Sequence, residues 1–233
     1  MINYLLTPPN THFDYGFGIS AEGFKESADI LGRDPSSHFT LLPLNYLRRH
    51  AIELYLKSFI FILHRKYNQP FCNGSSLDKP IIMIGSKSKP LSNIHDLSEL
   101  YEYFISLHER LRFDFPKSTI WDISNEIRTK INFVNGYDSQ STYFRYPISS
   151  NSVGDAKKSR IQPVKIEHLI QKSQKNTDKK IKCVLMFDEN DELVETYDLV
   201  ADTLGKVQVA LESLCDYFHN LHAAYRFEIT KGN

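Results

Sequence analysis

Leu47-Arg48-Arg49-His50-Ala51-Ile52-Glu53-Leu54-Tyr55-Leu56-Lys57 decides the reading of this chain, because it sets four charged side chains and a histidine into an otherwise apolar helix. It lies within a longer run, Leu41 to Lys66, in which Leu44, Leu47, Ala51, Leu54 and Ser58 mark one face. Ile52, Leu56, Phe59, Ile60 and Leu63 cover the others. A helix apolar nearly all round sits inside a protein, and Pro43 is tolerated in its first turn. His50, Glu53 and Lys57 fall at spacings of three and four, with Arg49 four residues before Glu53, so they share one narrow face. If that face is buried, every charge on it needs a partner, and a group from a distant part of the chain is expected. Arg145, in Tyr143-Phe144-Arg145-Tyr146-Pro147, is the preferred partner for Glu53. If the face is solvated, the same residues make only weak ion pairs.

Working outward, residues 19 to 32 read as a helix capped by Ser20, with Phe24, Ala28 and Leu31 on one stripe and Gly32 as its stop. Residues 68 to 92 carry Pro70, Gly74, Pro80, Gly85 and Pro90 around Ile81-Ile82-Met83-Ile84, a loop excursion with one short strand. Ser92-Asn93 caps a helix patterned by Leu97, Leu100, Tyr101, Phe104, Leu107 and Leu111. Another is expected after Ser118, with Ile120, Ile123, Ile127, Ile131 and Val134 inward and Asn135-Gly136 ending it. From Asp202, Val207, Ala210, Leu211, Leu214, Phe218, Leu221 and Tyr225 define a final amphipathic helix. Residues 149 to 202 read as an insertion: a basic loop or short helix, then a β-hairpin. Its strands are Ile181 to Phe187 and Leu193 to Leu199, around Asp188-Glu189-Asn190-Asp191-Glu192.

The bulk numbers narrow the class. At 233 residues, 41% hydrophobic and 12% aromatic, the chain reads as one globular domain with a decorated edge. Lys+Arg and Asp+Glu are both 28, so no global field draws it to nucleic acid or anionic lipid. Cys72, Cys183 and Cys215 lack the paired spacing of a zinc site or redox dithiol, which fits a reduced, cytoplasmic setting. The first residues lack the basic start and apolar run of a signal peptide. Ile52 to Leu63 is interrupted by charge and too short to cross about 30 Å of hydrocarbon, so no membrane association is expected.

Other candidates are weaker. His95-Asp96 opens a helix, where capping is the plain reading and an imidazole directed at the main helix the functional one. His219 and His222, three apart near Asp216, have the spacing of a metal pair, but no third ligand is identifiable and they fall largely on the polar face. Residues 155 to 182 hold nine Lys/Arg against three Asp/Glu without aromatics, which favours a solvated loop over a base-stacking surface. There is no Gly-rich phosphate loop and no nucleophile elbow.

In order, Leu47 to Lys57, His95-Asp96-Leu97 opening a helix, and Phe144-Arg145-Tyr146-Pro147 resemble the HEPN superfamily of helical-bundle proteins, in particular its uncharacterised and abortive-infection-like bacterial branches. The resemblance covers roughly residues 17 to 147. It implies a mainly α, HEPN-like bundle with a small β-hairpin before the C-terminal helix, acting in a bacterial defence or toxin-like system as a homodimer or with a partner protein. It further implies metal-independent, cofactor-free RNA cleavage, in which a histidine moves the proton of the ribose 2′-hydroxyl and an arginine neutralises the phosphate. On this chain His50 or His95 would move the proton, Arg145 would clamp the phosphate and Glu53 would orient Arg145. Arg49, Lys57, Lys157, Lys158 and Arg160 would contact RNA. The family's usual Arg-x(4–6)-His spacing is matched only by Arg33 to His38, ahead of the main helix. The resemblance therefore implies either a rearranged site or a non-catalytic interaction subunit.

Overall fold

The computed structural model describes residues 8–33, 41–145, 154–155, 158–159, 161–175, 181–200 and 204–232. The fold is mainly helical with two small antiparallel sheets. The chain divides into two compact units, residues 1–146 with 207–233, and residues 147–206. The expected insertion at 149 to 202 falls within the second.

In the first unit, helix α1 (Phe17–Gly32) packs along helix α2 (Leu41–Lys66). The N-terminus of α1 differs from expectation. Ser20 lies inside the helix, and the capping position is Gly16, held left-handed at φ 86. The first amides are served instead by Asp14, whose carboxylate accepts from Gly16 N–H at 3.1 Å and Gly18 N–H at 2.7 Å. A carboxylate there also complements the positive end of the helix.

Helix α2 has the range its apolar pattern predicts and is buried from Tyr55 to His64. Its Phe59 ties the unit together, with ring centroids 5.0 Å from Phe104, 5.9 Å from Phe218 and 4.8 Å from Tyr225. Removing so enclosed a ring costs about 3–5 kcal/mol.

Residues 81–90 form a hairpin of two strands rather than one, β1 (Ile81–Ile84) and β2 (Lys87–Pro90), turning at Gly85 with φ 59. Helix α3 (Leu97–Leu111) follows. Its cap is Asp96, which accepts from Glu99 N–H at 2.9 Å, whereas Ser92 and Asn93 lie in a preceding single turn.

Helix α4 (Asn125–Tyr137) starts later than its pattern predicts, at Ser124, whose hydroxyl accepts from Glu126 N–H. Ile120, expected inward, is 88% exposed. The cause is tertiary: His108 of α3 engages the Trp121 carbonyl at 2.7 Å and the Tyr225 hydroxyl at 2.6 Å, holding residue 121 in a non-helical link. The inward indole of Trp121 takes the place that periodicity assigned to Ile120.

In the second unit, β3 (Ile161–Pro163) is followed by helix α5 (Ile166–Lys175), β4 (Cys183–Phe187) and β5 (Leu193–Leu199). The strand order is β3-β5-β4, antiparallel throughout. The β4–β5 hairpin forms where alternation places it, closed by Asp188, whose carboxylate accepts from Asn190 and Glu192 N–H. The residues before it, expected as a basic loop or short helix, supply the helix α5 and also a short strand, β3, with Leu169 buried. Helix α6 (Leu204–Ala224) closes the chain and, from residue 207, lies in the first unit, ending in one wide turn at Tyr225–Ile229.

Candidate functional site: a buried carboxylate on the central helix

Glu53 lies with 1% of its side chain exposed and is nevertheless surrounded by cations. Lys57 Nζ donates to Oε1 at 2.8 Å, and Arg49 Nη1 donates to Oε2 at 3.3 Å. These are the neighbours one turn on and one turn back, brought there by the four-residue spacing. The third partner is His95, whose Nδ1 is 3.0 Å from Oε1. A carboxylate only accepts, so Nδ1 carries the proton in this pair and leaves Nε2 as the basic nitrogen when the ring is neutral. Burial drives the Glu53 carboxyl up, but Lys57, Arg49 and His95 outweigh it and hold the group below its ordinary value.

The surrounding loops complete the cage. Arg49 is fully buried; its Nε donates to the Asp138 carbonyl at 3.0 Å and its Nη2 to the His95 carbonyl at 2.7 Å. The Asp138 carboxylate lies 3.8 Å from Arg49 Nε, while its other oxygen accepts from Thr142 and Tyr143 N–H. Lys57 donates a second bond to the Ser92 carbonyl at 3.2 Å. The distant group that a buried charge line requires is therefore present, as Asp138 and His95.

Arg145 is not that group. It is exposed, its Nε donates to the Ser141 carbonyl, and its guanidinium lies 5.8 Å from the Tyr46 ring centroid. The reason is local: Arg145 N–H bonds back to the Thr142 carbonyl, so the turn folds this side chain onto itself while Arg49 and Lys57 occupy Glu53. The role of Glu53 in orienting Arg145 is thereby removed. His50 is half-buried, edge-on to Phe24 at 4.5 Å and stacked on Tyr46 at 5.7 Å. Burial lowers its pKa, and Lys57, Arg49 and Arg145 lower it further against the pull of Glu53.

Of the expected RNA contacts, Arg49 and Lys57 are sealed, at 0% and 3% side-chain exposure, so neither presents its charge to a solute. Burying a cation against a carboxylate satisfies it internally, and that use competes with phosphate binding. Lys158 pairs with Asp155 in the second unit. Lys157, Arg160 and His38 lie outside the described residues.

A second buried cluster was hidden from sequence reasoning. His222, expected on a polar face, is 1% exposed, with Nε2 3.5 Å from Asp14 and Nδ1 3.8 Å from Glu22. These are ion-pair separations rather than hydrogen bonds. Desolvation opposes the imidazolium, but the two carboxylates prevail and raise the His222 pKa. Asp14, pushed up by burial, is pulled down to about 2 by His222, by Ser58, whose hydroxyl donates at 2.5 Å, and by Gly18 N–H. The one signal for Asp14 in the sequence was its place before Gly16 and Gly18 at a helix start. His219, the other half of the expected metal pair, meets the Tyr55 hydroxyl at 3.0 Å. Among the described residues no group of three or more His, Cys, Asp or Glu side chains is placed to hold a metal ion. No helix among them is long and apolar enough to cross a membrane.

Comparison with family models, with curated proteins and with solved structures finds no match.

Chemically, the Glu53 cage does two things. It balances two acids, Glu53 and Asp138, against two cations, Arg49 and Lys57, inside the bundle, and it fixes the tautomer and direction of a histidine whose side chain is 45% exposed.

Proposed function

We propose that this chain is an HEPN-like helical module of a bacterial defence or toxin-like system, and that it acts by engaging a partner protein rather than by cleaving RNA. The observation that carries this reading is the enclosure of Glu53, with Arg49 and Lys57 consumed by the same carboxylate. Cleavage of RNA demands a cation open to the phosphate beside a group that moves the 2′-hydroxyl proton. Here the cations nearest the acid bind protein carbonyls, and Arg145 is turned onto Tyr46. Such a network fixes how α2, the start of α3 and the turn after α4 pack together.

The exposure of His95 favours a second reading. Its Nδ1 is held by a buried carboxylate, which leaves Nε2 as a candidate general base, with Arg145 as the phosphate clamp of a metal-independent ribonuclease. One experiment separates the two. Purified protein incubated with end-labelled RNA in EDTA is expected to release no cyclic-phosphate ends. Release of such ends, lost in His95→Ala and Arg145→Ala variants that melt like the parent, would replace the first reading with the second.

A further inference from the structure

The second unit has two sheet edges of opposite character. The β3 edge is three residues long and carries Pro163, which donates no ladder hydrogen bond. The β4 edge is Cys183-Val184-Leu185-Met186-Phe187, five residues without a charge, a proline or a glycine. From Val184 to Phe187 its side chains are 40% to 55% exposed. Proteins blunt such edges with lysine, proline or a bulge, because a regular apolar edge is a template for another strand. The irregularity in this hairpin falls between Met186 and Phe187 in register, where Met186 faces Glu195 and Phe187 faces Leu193, so the extra residue, Val194, is on β5 and β4 stays regular.

The hydrogen-bond phase of β4 follows from its flanks. Leu199 N–H donates to the Lys182 carbonyl, and Asp188 N–H to the Glu192 carbonyl. Residues 182, 184, 186 and 188 therefore direct their amides and carbonyls toward β5, and Cys183, Leu185 and Phe187 direct theirs away. We propose that this edge pairs antiparallel with β4 of a second copy in a register centred on Leu185, joining two three-stranded sheets into one of six strands. In that register Leu185 faces its own counterpart, Cys183 faces Phe187, and Val184 faces Met186, so every outward amide meets an outward carbonyl.

Charge complementarity selects the second copy over an unrelated strand. One residue beyond the apolar stretch at each end, Lys182 of one copy falls opposite Asp188 of the other, twice by symmetry. A parallel arrangement would set lysine beside lysine and aspartate beside aspartate. The inference rests on the second unit alone and is independent of whether the Glu53 cage is architectural or catalytic.

Sedimentation of the full chain at micromolar concentration is the test. The parent is expected to be a dimer, and Leu185→Pro a monomer with an unchanged circular dichroism spectrum, since the amide it removes faces away from β5. Leu185→Lys is expected to act alike and covers the case in which proline disturbs the hairpin. Lys182→Glu should weaken the dimer roughly tenfold. Leu185→Cys in a Cys183→Ser background should form an intermolecular disulfide on mild oxidation, because directly opposed residues in such a pair have Cα atoms about 5.5 Å apart. A monomeric parent overturns the proposal. So does a dimer that persists in both the proline and the lysine variants and gives no disulfide in the Leu185→Cys variant.

Discussion

Glu53 and Lys57 stand one helical turn apart on α2, and their side chains meet inside the protein at 2.8 Å with 1% and 3% of their surface exposed. On a solvated helix this spacing yields a few tenths of a kcal/mol. Inside the bundle it becomes a structural commitment, because neither charge has water to fall back on.

Glu53→Gln keeps the shape of the side chain and removes its charge, leaving Lys57 buried without its counter-ion and Arg49 with only the more distant Asp138 carboxylate. Breaking a buried pair in this way costs about 3–5 kcal/mol. The urea midpoint should fall accordingly with the slope unchanged. A loss under about 1 kcal/mol would mean that water reaches the cage.

His95→Ala and Arg145→Ala should be mild by comparison, each within about 1 kcal/mol of the parent in the same titration. The His95 side chain is 45% exposed, and Arg145 is exposed and folded onto its own turn. Arg145 lies away from the sealed network, and His95 touches it only through one edge of an exposed ring, with Lys57 and Arg49 still holding Glu53 in its absence. Their tolerance makes them clean probes of RNA cleavage, since lost activity would not be lost folding.

Gly18 lies directly against the second cluster, and a Cβ built there would overlap the His222 ring and the Asp14 carboxylate. Gly18→Ala should therefore cost about 1–3 kcal/mol, as overpacking usually does, although alanine favours helix intrinsically. In a Gly18→Ala/His222→Ala double variant the ring overlap is gone and only the Asp14 carboxylate still crowds the alanine, so the two losses should sum to more than the measured total. Strict additivity in that double-mutant cycle would show that the ring is not what alanine strikes.

The same cluster sets a pH dependence with two limbs. The His222 pKa is raised by folding, so its contribution is complete below the unfolded value near 6.5 and is lost as pH rises through the higher folded value. His222 faces Asp14 and Glu22, with the Ser58 hydroxyl on Asp14, Tyr55 and Phe59 against its ring and Arg226 lining the same small cavity. The Asp14 pKa is depressed from 3.8 to about 2, so its contribution is present above roughly pH 4 and is lost as pH falls toward 2. That shift corresponds to about 2 kcal/mol. Melting temperature against pH should decline on the alkaline side in the parent and lose that limb in His222→Gln. An unchanged alkaline limb in the variant would assign it elsewhere.

The helices were legible because burial writes its period into the residues. The range of α2 and the stripe of α3 follow from apolar spacing, and the hairpin from alternation around an acidic turn. The errors share one cause. Ser20, Ser92 and Ser118 each offer a hydroxyl suited to a helix start, yet Asp14, Asp96 and Ser124 serve those ends, because capping is settled by where the chain is held and not by which hydroxyl comes first. Ile120 followed the helical period and still faces solvent, since His108 and Tyr225 claim the backbone beside it.

The sequence by itself determined that α2 is central and that its charges at positions 49, 53 and 57 share a face, because spacing on a helix is a local matter. Which partners those charges take was decided only by the tertiary structure. Asp138 and His95 reach the cage and Arg145 does not, although all three arrive from outside the helix. Likewise His222 left no sequence signal of burial, since only the packing of α6 against α1 and the Asp14 turn brings a polar-looking face inward. Periodicity reports which way a side chain points relative to its own helix; which distant group meets it depends on how loops close, and that is not written in any single segment.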